Sequence, residues 1–250
     1  MRLLIVNDDG IYEKGIQKLA RELEKDYELT IVAPENQRSA QSHAITLEKS
    51  LIVKEVELEG IKSKAYSVSG TPVDCVRVAL DKLVKEPVDL VISGVNAGLN
   101  VGLDILYSGT VSAAIEAHMY KIPSIALSAK WDNGKINYDL AVNFVKDLLE
   151  KSKEQIIKNN IILSINTPLL EEDQIKGVKV CKIGGIVYDY YYMEDGKVKG
   201  ESTLRIDGRR QHGPEEDTDR YYISKGYITI TPLHYDLTNY DLLEEVESWL

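Results

Sequence analysis

Short apolar runs alternate with segments of helical spacing over the first 170 residues of the chain. The run Leu3–Asn7 predicts a buried strand, and Ile16, Leu19, Ala20 and Leu23 then recur at the spacing of one helix face. Further core strands are predicted at 29–33, 89–93, 125–127 and 161–165, and further helices at 72–83, 110–120 and 140–149. Alternating strands and helices with short connections indicate an α/β fold, a Rossmann-like doubly wound and mainly parallel sheet covered on both faces.

Two regions depart from this alternation. Residues 44–69 alternate in the manner of β-strands and predict a hairpin inserted into the winding. Beyond residue 177 the run Val187–Met193 predicts β-hairpin arms with polar loops, and 241–250 predicts a C-terminal helix. We therefore expect a single domain over 1–250, in which 1–170 form the Rossmann-like core and 171–250 form the β-arms and the C-terminal helix used for oligomerisation.

Composition and charge exclude several classes of function. The 250 residues carry a formal net charge of -10, which opposes binding to a nucleic acid polymer or to an anionic membrane. Apolar runs such as Leu3–Val6 are far shorter than the ~20 residues of a membrane helix, and no signal peptide is recognised, so we expect a cytoplasmic protein. Cys75 and Cys181 lack metal-ligand spacing, which predicts two reduced thiols.

Oxygen-bearing side chains follow the predicted strands. Asp8 and Asp9 come directly after the first strand, and Asn96 follows the strand at 89–93. In an open parallel sheet, ligands gather at the carboxyl ends of the strands. Adjacent carboxylates repel one another unless a cation or hydrogen bonds compensate them, and an Asn amide oxygen could complete the shell of a divalent metal. Alternatively, one Asp caps the next helix and Asn96 shapes a glycine-rich turn, and both interpretations stay open here.

The segment Tyr107–Thr110 opens a predicted helix. Free amides at the N-terminus of a helix bind phosphate readily, and the helix dipole assists them. The alternative is that Ser108 or Thr110 simply caps the helix. The segment is therefore a candidate phosphate site whose side chains also have an ordinary structural use.

Several nucleotide-enzyme fingerprints are missing from the sequence. Gly94, Gly98 and Gly102 do not have the G-x-G-x-x-G spacing, and the chain contains neither a P-loop motif nor a G-x-S-x-G nucleophile elbow. Among the 4 histidines, His43 stands out because it follows Ser39 in the loop after the second strand.

Six segments, in order over nearly the whole chain, carry a family resemblance. They are Asn7–Gly10, Ala33–Pro34 with Arg38–Ala40 and His43–Leu47, Gly70–Val76, Ser93–Gly102, Tyr107–Val111, and Ile228–His234. Together they resemble the SurE family of survival-protein nucleotidases. Agreement of this many separate motifs in order and spacing is a specific match.

The resemblance implies a metal-dependent phosphohydrolase that removes phosphate from nucleoside 5'- and 3'-monophosphates, and in some members from short polyphosphate. It also implies one divalent cation, Mg²⁺ or Mn²⁺, and protruding arms that assemble a homodimer or homotetramer. Carried over to this sequence, the metal ligands are Asp8, Asp9, Ser39 and Asn96, the catalytic residues are Asp8, Asp9 and Asn96, and the substrate-binding residues are Asn96, Ser108, Gly109 and Thr110.

Two other functions could use the same oxygen cluster. A non-catalytic nucleotide or phosphate sensor would bind the anion without turning it over. A metal-dependent glycosyltransferase would hold a sugar-nucleotide diphosphate through a metal and carboxylates. Phosphate release from AMP, measured with and without Mn²⁺, distinguishes the three.

Overall fold

The centre of the molecule is a mixed β-sheet. The computed structural model describes residues 1–186, 189–210 and 213–250. The strands over these residues are β1 (Arg2–Val6), β2 (Glu28–Pro34), β3 (Val53–Val56), β4 (Lys64–Val68), β5 (Leu90–Ala97), β6 (Ser124–Ala129), β7 (Ile162–Thr167), β8 (Val178–Val180), β9 (Asp189–Val198), β10 (Glu201–Arg210) and β11 (Ile228–Leu233). Nine of these strands make one sheet in the order β3-β4-β2-β1-β5-β6-β7-β11-β8.

The strands in the middle of this sheet, from β4 to β7, all run parallel. At one edge, β3 pairs antiparallel with β4 and corresponds to the predicted inserted hairpin. At the other edge, β11 pairs antiparallel with β7, and β8 runs parallel to β11. The predicted α/β fold with a mainly parallel, doubly wound sheet is confirmed.

Helices cover both faces of the sheet. They are α1 (Lys14–Leu23), α2 (Pro72–Val78), α3 (Gly109–Met119), α4 (Tyr138–Asn159), α5 (Asp219–Ser224) and α6 (Leu243–Glu247). Thr71 caps α2, which begins where the sequence predicts: the Thr71 hydroxyl oxygen accepts the Asp74 amide at 3.1 Å, and the Asp74 carboxylate accepts the Thr71 amide at 2.9 Å. A π-helical turn, Ala79–Leu83, continues α2, and a 3₁₀ turn, Gly102–Tyr107, precedes α3.

The alternation of apolar side chains along β1 separates the core into two layers. Leu3 and Ile5 pack with α1 and α4 on one face of the sheet, whereas Leu4 and Val6 pack with α2 and α3 on the other. Successive side chains of a strand point to opposite faces. A strand covered on both sides therefore needs an uninterrupted apolar run, which explains why 3–6 contains no polar residue.

The winding reverses between β1 and β5, which are neighbours in the sheet. The chain passes from β1 through β2 to β4 on one side, and from β5 through β6 to β7 on the other. Connections leave in opposite directions at such a reversal, so a crevice opens beyond the carboxyl ends of the two strands. Asp8 and Asp9 follow β1, and Asn96 lies near the end of β5, so the fold brings these predicted site residues to the crevice.

The last third of the chain contributes both to the sheet and to its surroundings. β8 and β11 extend the main sheet, whereas β9 and β10 pair antiparallel as a separate two-stranded ribbon. Val187 and Tyr188 of the predicted strand run, and His212, lie outside the described residues. No helix within the described ranges is long and apolar enough to cross a bilayer.

Candidate functional site

Two adjacent carboxylates lie at the carboxyl end of β1. Asp8 is only 5% exposed and Asp9 only 8%. A tight turn holds them in place: the Asn7 side-chain amide donates to the Gly10 carbonyl oxygen at 2.9 Å, and the Gly10 amide donates to Asn7 Oδ1 at 3.1 Å. Gly10 has a φ of +123°, which favours glycine at this position. The turn therefore presents two buried acidic side chains next to each other.

Thr110 holds the Asp8 carboxylate. Its hydroxyl donates to Asp8 Oδ1, and its backbone amide also hydrogen-bonds to this carboxylate. Burial raises the pKa of Asp8 to about 6, although the Thr110 hydroxyl opposes the shift, and the neighbouring Asp9 carboxylate raises the pKa further. Ionised Asp8 is thus costly in this position, and a nearby cation would reduce the cost.

Asp9 is tied to the end of β5. Its Oδ2 accepts the Ala97 backbone amide at 2.9 Å. Burial raises the pKa of Asp9, the Ala97 hydrogen bond opposes the shift, and the charge of Glu13 adds to it. The two carboxylates are therefore anchored to different elements, Asp8 to the start of α3 and Asp9 to the end of β5.

Asn96 and Ser39 complete the set of predicted metal ligands. The Asn96 side-chain amide nitrogen donates to the Gly98 carbonyl oxygen at 2.8 Å, which leaves the Asn96 oxygen on the opposite side of the amide group. Ser39 is exposed in the loop after β2, and the Arg38 amide next to it donates to the Asp8 carbonyl oxygen at 2.7 Å. The structure thus brings Asp8, Asp9, Ser39 and Asn96 to one cavity.

The residues of the predicted phosphate segment have two different surroundings: one lines the cavity, and the other two contact Asp8. Ser108 lines the cavity, and its Oγ accepts the Val111 amide at 3.1 Å, so it also caps α3. Gly109 packs closely on Asp8, because a Cβ atom at this position would lie 2.9 Å from Asp8 Cβ. Thr110 is turned towards the same carboxylate. The start of α3 therefore acts on the site largely by fixing Asp8.

The cavity has a volume of about 780 Å³ and is lined by both polar and apolar side chains. Its polar lining includes the predicted metal ligands together with Asn100, Asp104 and Ser108. Its apolar and aromatic lining comprises Leu99, Leu103, Leu106, Tyr107, Ile186, Tyr190, Tyr192 and Ile206. The last three of these belong to the ribbon β9–β10, which reaches the cavity from a distant part of the sequence.

The sequence interpretation missed Asn100 and the ribbon tyrosines as cavity residues. Asn100 is fixed by Asn166 of β7: the Asn100 amide donates to Asn166 Oδ1, and Asn166 Nδ2 donates to the Asn100 carbonyl oxygen, both at 2.9 Å. Asn100 lies within the motif 93–102 and could have been found there. The approach of Tyr190 and Tyr192 depends on how the chain folds back, for which the sequence offers no local pattern.

Asp219, a buried residue outside the cavity, accepts hydrogen bonds from two segments next to the cavity. Asp219 Oδ2 accepts the Gly102 amide at 2.8 Å, and its Oδ1 accepts the Gly184 amide at 3.0 Å. Burial raises the pKa of Asp219, and the hydrogen bonds from Gly102, Arg220 and Gly184 oppose the shift. Gly102 begins the turn that lines the cavity, and Gly184 leads towards the ribbon. Asp219 therefore links these two parts of the wall.

The residues present fit a hard divalent cation. Every predicted ligand carries oxygen, and the two carboxylates are buried with raised pKa values that a cation would reverse. In the part of the chain that the structure describes, no group of three or more His, Cys, Asp or Glu side chains could hold a metal. The predicted set does not form such a group because it combines two carboxylates with the Asn and Ser oxygens. Its chemistry favours Mg²⁺ or Mn²⁺ over softer metals.

The sequence matches one family model and is similar to known proteins over its full length. The sequence model of the family described as Survival protein SurE matches residues 3–189. The 5'-nucleotidase SurE of Clostridium botulinum (strain 657 / Type Ba4) is 51% identical over 249 residues, which cover 99% of this chain and 98% of the relative. The protein of the same name from Clostridium tetani (strain Massachusetts / E88) is 50% identical over 249 residues and covers 100% of both chains.

A solved structure is similar over the same length. The crystal structure of the SurE protein from Aquifex aeolicus matches with a TM-score of 0.86 and 33% sequence identity, covering 100% of this chain and 99% of that chain. Sequence and structure therefore agree with the motifs on which the resemblance was based. The chain belongs to the SurE family.

Proposed function

We propose that this protein hydrolyses nucleoside monophosphates to a nucleoside and inorganic phosphate with the help of a divalent cation. The observation that carries the proposal is one cavity lined both by two buried carboxylates and by aromatic rings. Such a cavity matches the two chemical halves of a nucleotide. Relatives named 5'-nucleotidase SurE, about half identical over the full length, support it further.

Asp8, Asp9, Ser39 and Asn96 would hold one Mg²⁺ or Mn²⁺ ion. When bound, such a cation polarises a phosphate oxygen and lowers the pKa of a bound water. The chain's own contribution is to orient the ligands, because Thr110 fixes the Asp8 carboxylate and Ala97 fixes that of Asp9. Without a cation, the two carboxylates would repel a phosphate, so we expect binding and turnover of substrate to depend on the metal.

The phosphate would lie between the carboxylates and the start of α3. This helix has 11 residues, and its dipole gives its N-terminal end a partial positive charge. We assign phosphate binding to Ser108, Gly109 and Thr110 together with Asn96. In this assignment, Ser108 faces the cavity and Thr110 acts through Asp8, to which it is hydrogen-bonded.

The nucleoside would lie against the apolar and aromatic side chains that line the cavity. Aromatic rings bind nucleobases by stacking, which tolerates different bases. Tyr107, Tyr190 and Tyr192 offer such rings, and Leu103 and Ile206 add apolar surface. These side chains would favour a nucleotide over a simple phosphate ester, and stacking would accept more than one base.

Phosphate release from AMP tests the proposed function. Purified protein is incubated with 5'-AMP, 3'-AMP or tripolyphosphate, in Mn²⁺ and in Mn²⁺ with excess EDTA, and free phosphate is measured. We expect release from both nucleotides with Mn²⁺ and none with EDTA. Binding of AMP in calorimetry without release would support a sensor. In a parallel incubation with a sugar nucleotide, release of a nucleoside diphosphate without any phosphate release from AMP would support a glycosyltransferase.

Assembly forms part of the same proposal. The region 171–250 contains the ribbon β9–β10 and α6, and we assign to these two elements the contacts of a homodimer or homotetramer. Residues 1–170 contain all the proposed ligands and phosphate-binding residues. Metal and phosphate binding would therefore rest on the first part of the domain, whereas the ribbon would serve both assembly and the nucleoside through Tyr190 and Tyr192.

A further inference from the structure

A buried carboxylate outside the cavity connects α3 to the loop that carries Ser39. Glu116 of α3 is 2% exposed, and its two oxygens lie 2.6 Å from His43 Nε2 and 2.8 Å from Arg77 Nη1. Burial alone would raise the pKa of Glu116, but the hydrogen bonds from His43 and Arg77 outweigh burial and lower the pKa. Glu116 is therefore ionised, and His43 donates its Nε2 hydrogen to it.

Burying the Glu116 carboxylate costs free energy. Glu116 lies on a helix whose neighbouring residues Ala113, Ala114 and Ala117 are buried in the apolar core. Removing a carboxylate from water costs free energy that the attraction of its partners often does not fully return. The buried Glu116 carboxylate fixes the positions of its two partners, His43 and Arg77, whose side chains are 33% and 46% exposed.

The loop that carries Ser39 contains two residues in a strained backbone conformation. Ala40 and Ser42 have φ values of +55° and +53°, in the left-handed region that residues other than glycine seldom adopt. The rest of the molecule holds them there: the Ser42 amide donates to the Tyr107 carbonyl oxygen at 3.0 Å, and the Ser42 hydroxyl donates to the Leu106 carbonyl oxygen at 2.7 Å. His43 adds a contact to the buried Glu116 carboxylate, directly after this strained pair.

We infer that His43, held by Glu116, is a positioning residue that keeps Ser39 in place beside Asp8 for metal binding. The inference rests on the proposed function, in which Ser39 is a metal ligand. One helix then organises both sides of the metal site, since α3 fixes Asp8 through Thr110 and the Ser39 loop through Glu116. His43 itself touches neither metal nor substrate. Its effect on the metal would be indirect, through the position of the ligand Ser39.

Direct binding of Mn²⁺ tests this inference without using turnover. The dissociation constant for Mn²⁺ is measured by electron paramagnetic resonance or calorimetry on the full chain and on His43→Ala. We expect affinity to fall by about 10- to 100-fold, the usual effect of removing an outer partner of a metal ligand. His43→Gln, which can still donate a hydrogen bond to Glu116, should recover most of the affinity.

A matched control removes an imidazole elsewhere on α3. His118 lies two positions after Glu116 and packs edge to face on Tyr235, with ring centroids 5.6 Å apart. His118→Ala should leave Mn²⁺ affinity unchanged, even if the thermal midpoint falls. Thermal midpoints in EDTA, measured for every variant, identify any variant that has lost its fold.

A double-mutant cycle with Ser39→Ala tests the route of the effect. If His43 acts through Ser39, then His43→Ala should cost Mn²⁺ affinity in the wild-type background and almost none in the Ser39→Ala background. Equal losses in both backgrounds would overturn the inference. So would a folded His43→Ala variant with wild-type Mn²⁺ affinity.

The outcomes separate this inference from the proposed function. A wild-type protein that binds Mn²⁺ without hydrolysing AMP would refute the proposed activity, while the His43 comparison would still decide the inference. A protein that hydrolyses AMP with His43→Ala unaffected in Mn²⁺ affinity would refute only the inference. A wild-type protein that binds no Mn²⁺ would refute both.

Discussion

Asp8 is a buried carboxylate and a proposed metal ligand. The substitution Asp8→Asn keeps the shape of the side chain and removes its negative charge. We expect turnover at saturating Mn²⁺ to fall by more than about 100-fold, because a direct ligand should matter more than an outer partner. The thermal midpoint in EDTA at pH 8 should hold or rise, because burying the ionised carboxylate is unfavourable. Steady-state kinetics and thermal unfolding measure the two effects.

An exposed residue supplies the control for this variant. Asp139 at the start of α4 contacts Lys18 on the surface, so Asp139→Asn changes the same charge away from the site. It should leave turnover unchanged. Near wild-type turnover in Asp8→Asn would show that Asp8 is not a ligand.

The raised pKa of Asp8 also predicts how the stability of the metal-free protein depends on pH. Burial raises this pKa from 3.8 to about 6, so the folded state holds a proton that the unfolded state releases. The stabilisation is fully present below about pH 4 and is lost as pH rises through about 6. A shift of this size at 1.36 kcal/mol per pKa unit corresponds to about 3 kcal/mol.

The difference between two proteins isolates this effect from other titrating groups. Denaturant unfolding in EDTA gives the free energy of unfolding for wild type and for Asp8→Asn between pH 4 and pH 7.5. Their difference should fall by about 2–3 kcal/mol across this interval, in favour of the variant at higher pH. Parallel curves for the two proteins would mean that Asp8 titrates with an ordinary pKa in the folded chain.

At the scale of elements, the start of α3 depends on a close approach that glycine allows. A Cβ atom on Gly109 would lie 2.9 Å from Asp8 Cβ and 3.0 Å from Pro72 Cγ. Gly109→Ala should therefore push α3 away from Asp8, lower the stability by about 1–3 kcal/mol and reduce Mn²⁺ affinity together with activity. Thermal unfolding and Mn²⁺ titration measure these losses.

The control for Gly109 is a glycine with free space around it. Gly196 in β9 has no atom within 4 Å of the position that a Cβ would occupy. Gly196→Ala should leave Mn²⁺ affinity and activity unchanged. A Gly109→Ala variant that behaves in the same way would show that α3 tolerates a larger separation from Asp8.

The helices and strands could be predicted because each depends on residues that are close together in the sequence. Strands covered on both faces must be continuously apolar, and capping residues such as Thr71 mark where a helix begins. The metal-ligand candidates Asp8 and Asn96 could be placed because the residues after parallel strands meet at one edge of the sheet. Each of these inferences uses a rule that connects neighbouring residues to one element.

What could not be predicted depends on contacts between distant segments. The bond between His43 and Glu116 joins residues 73 positions apart, and Thr110 reaches Asp8 across 102 positions. Thr110 could be named as a helix-start residue from its motif, but not as the partner of Asp8. The approach of Tyr190 and Tyr192 to the cavity depends on the path of the ribbon, which no periodicity encodes.

At the scale of the whole molecule, the C-terminal segment 239–250 exposes apolar side chains. Tyr240, Leu243, Val246 and Trp249 are 65%, 53%, 42% and 69% exposed. A short helix with this much exposed apolar surface is costly in water and is typical of an interface. A stable interface buries about 1,200–2,000 Å² in total, so the segment could supply only part of it and the ribbon would supply more.

Ending the chain at Thr238 tests whether this segment holds copies of the protein together. The full chain should sediment as a dimer or tetramer at micromolar concentration, and the shortened chain should shift towards the monomer because apolar contact area is lost. Mn²⁺ affinity should stay the same, since Asp8, Asp9, Ser39 and Asn96 all lie far upstream. The full-length double variant Leu243→Ser, Trp249→Ser should dissociate likewise, which separates loss of apolar contact from loss of chain length. A full chain that sediments as a monomer would contradict the proposed assembly.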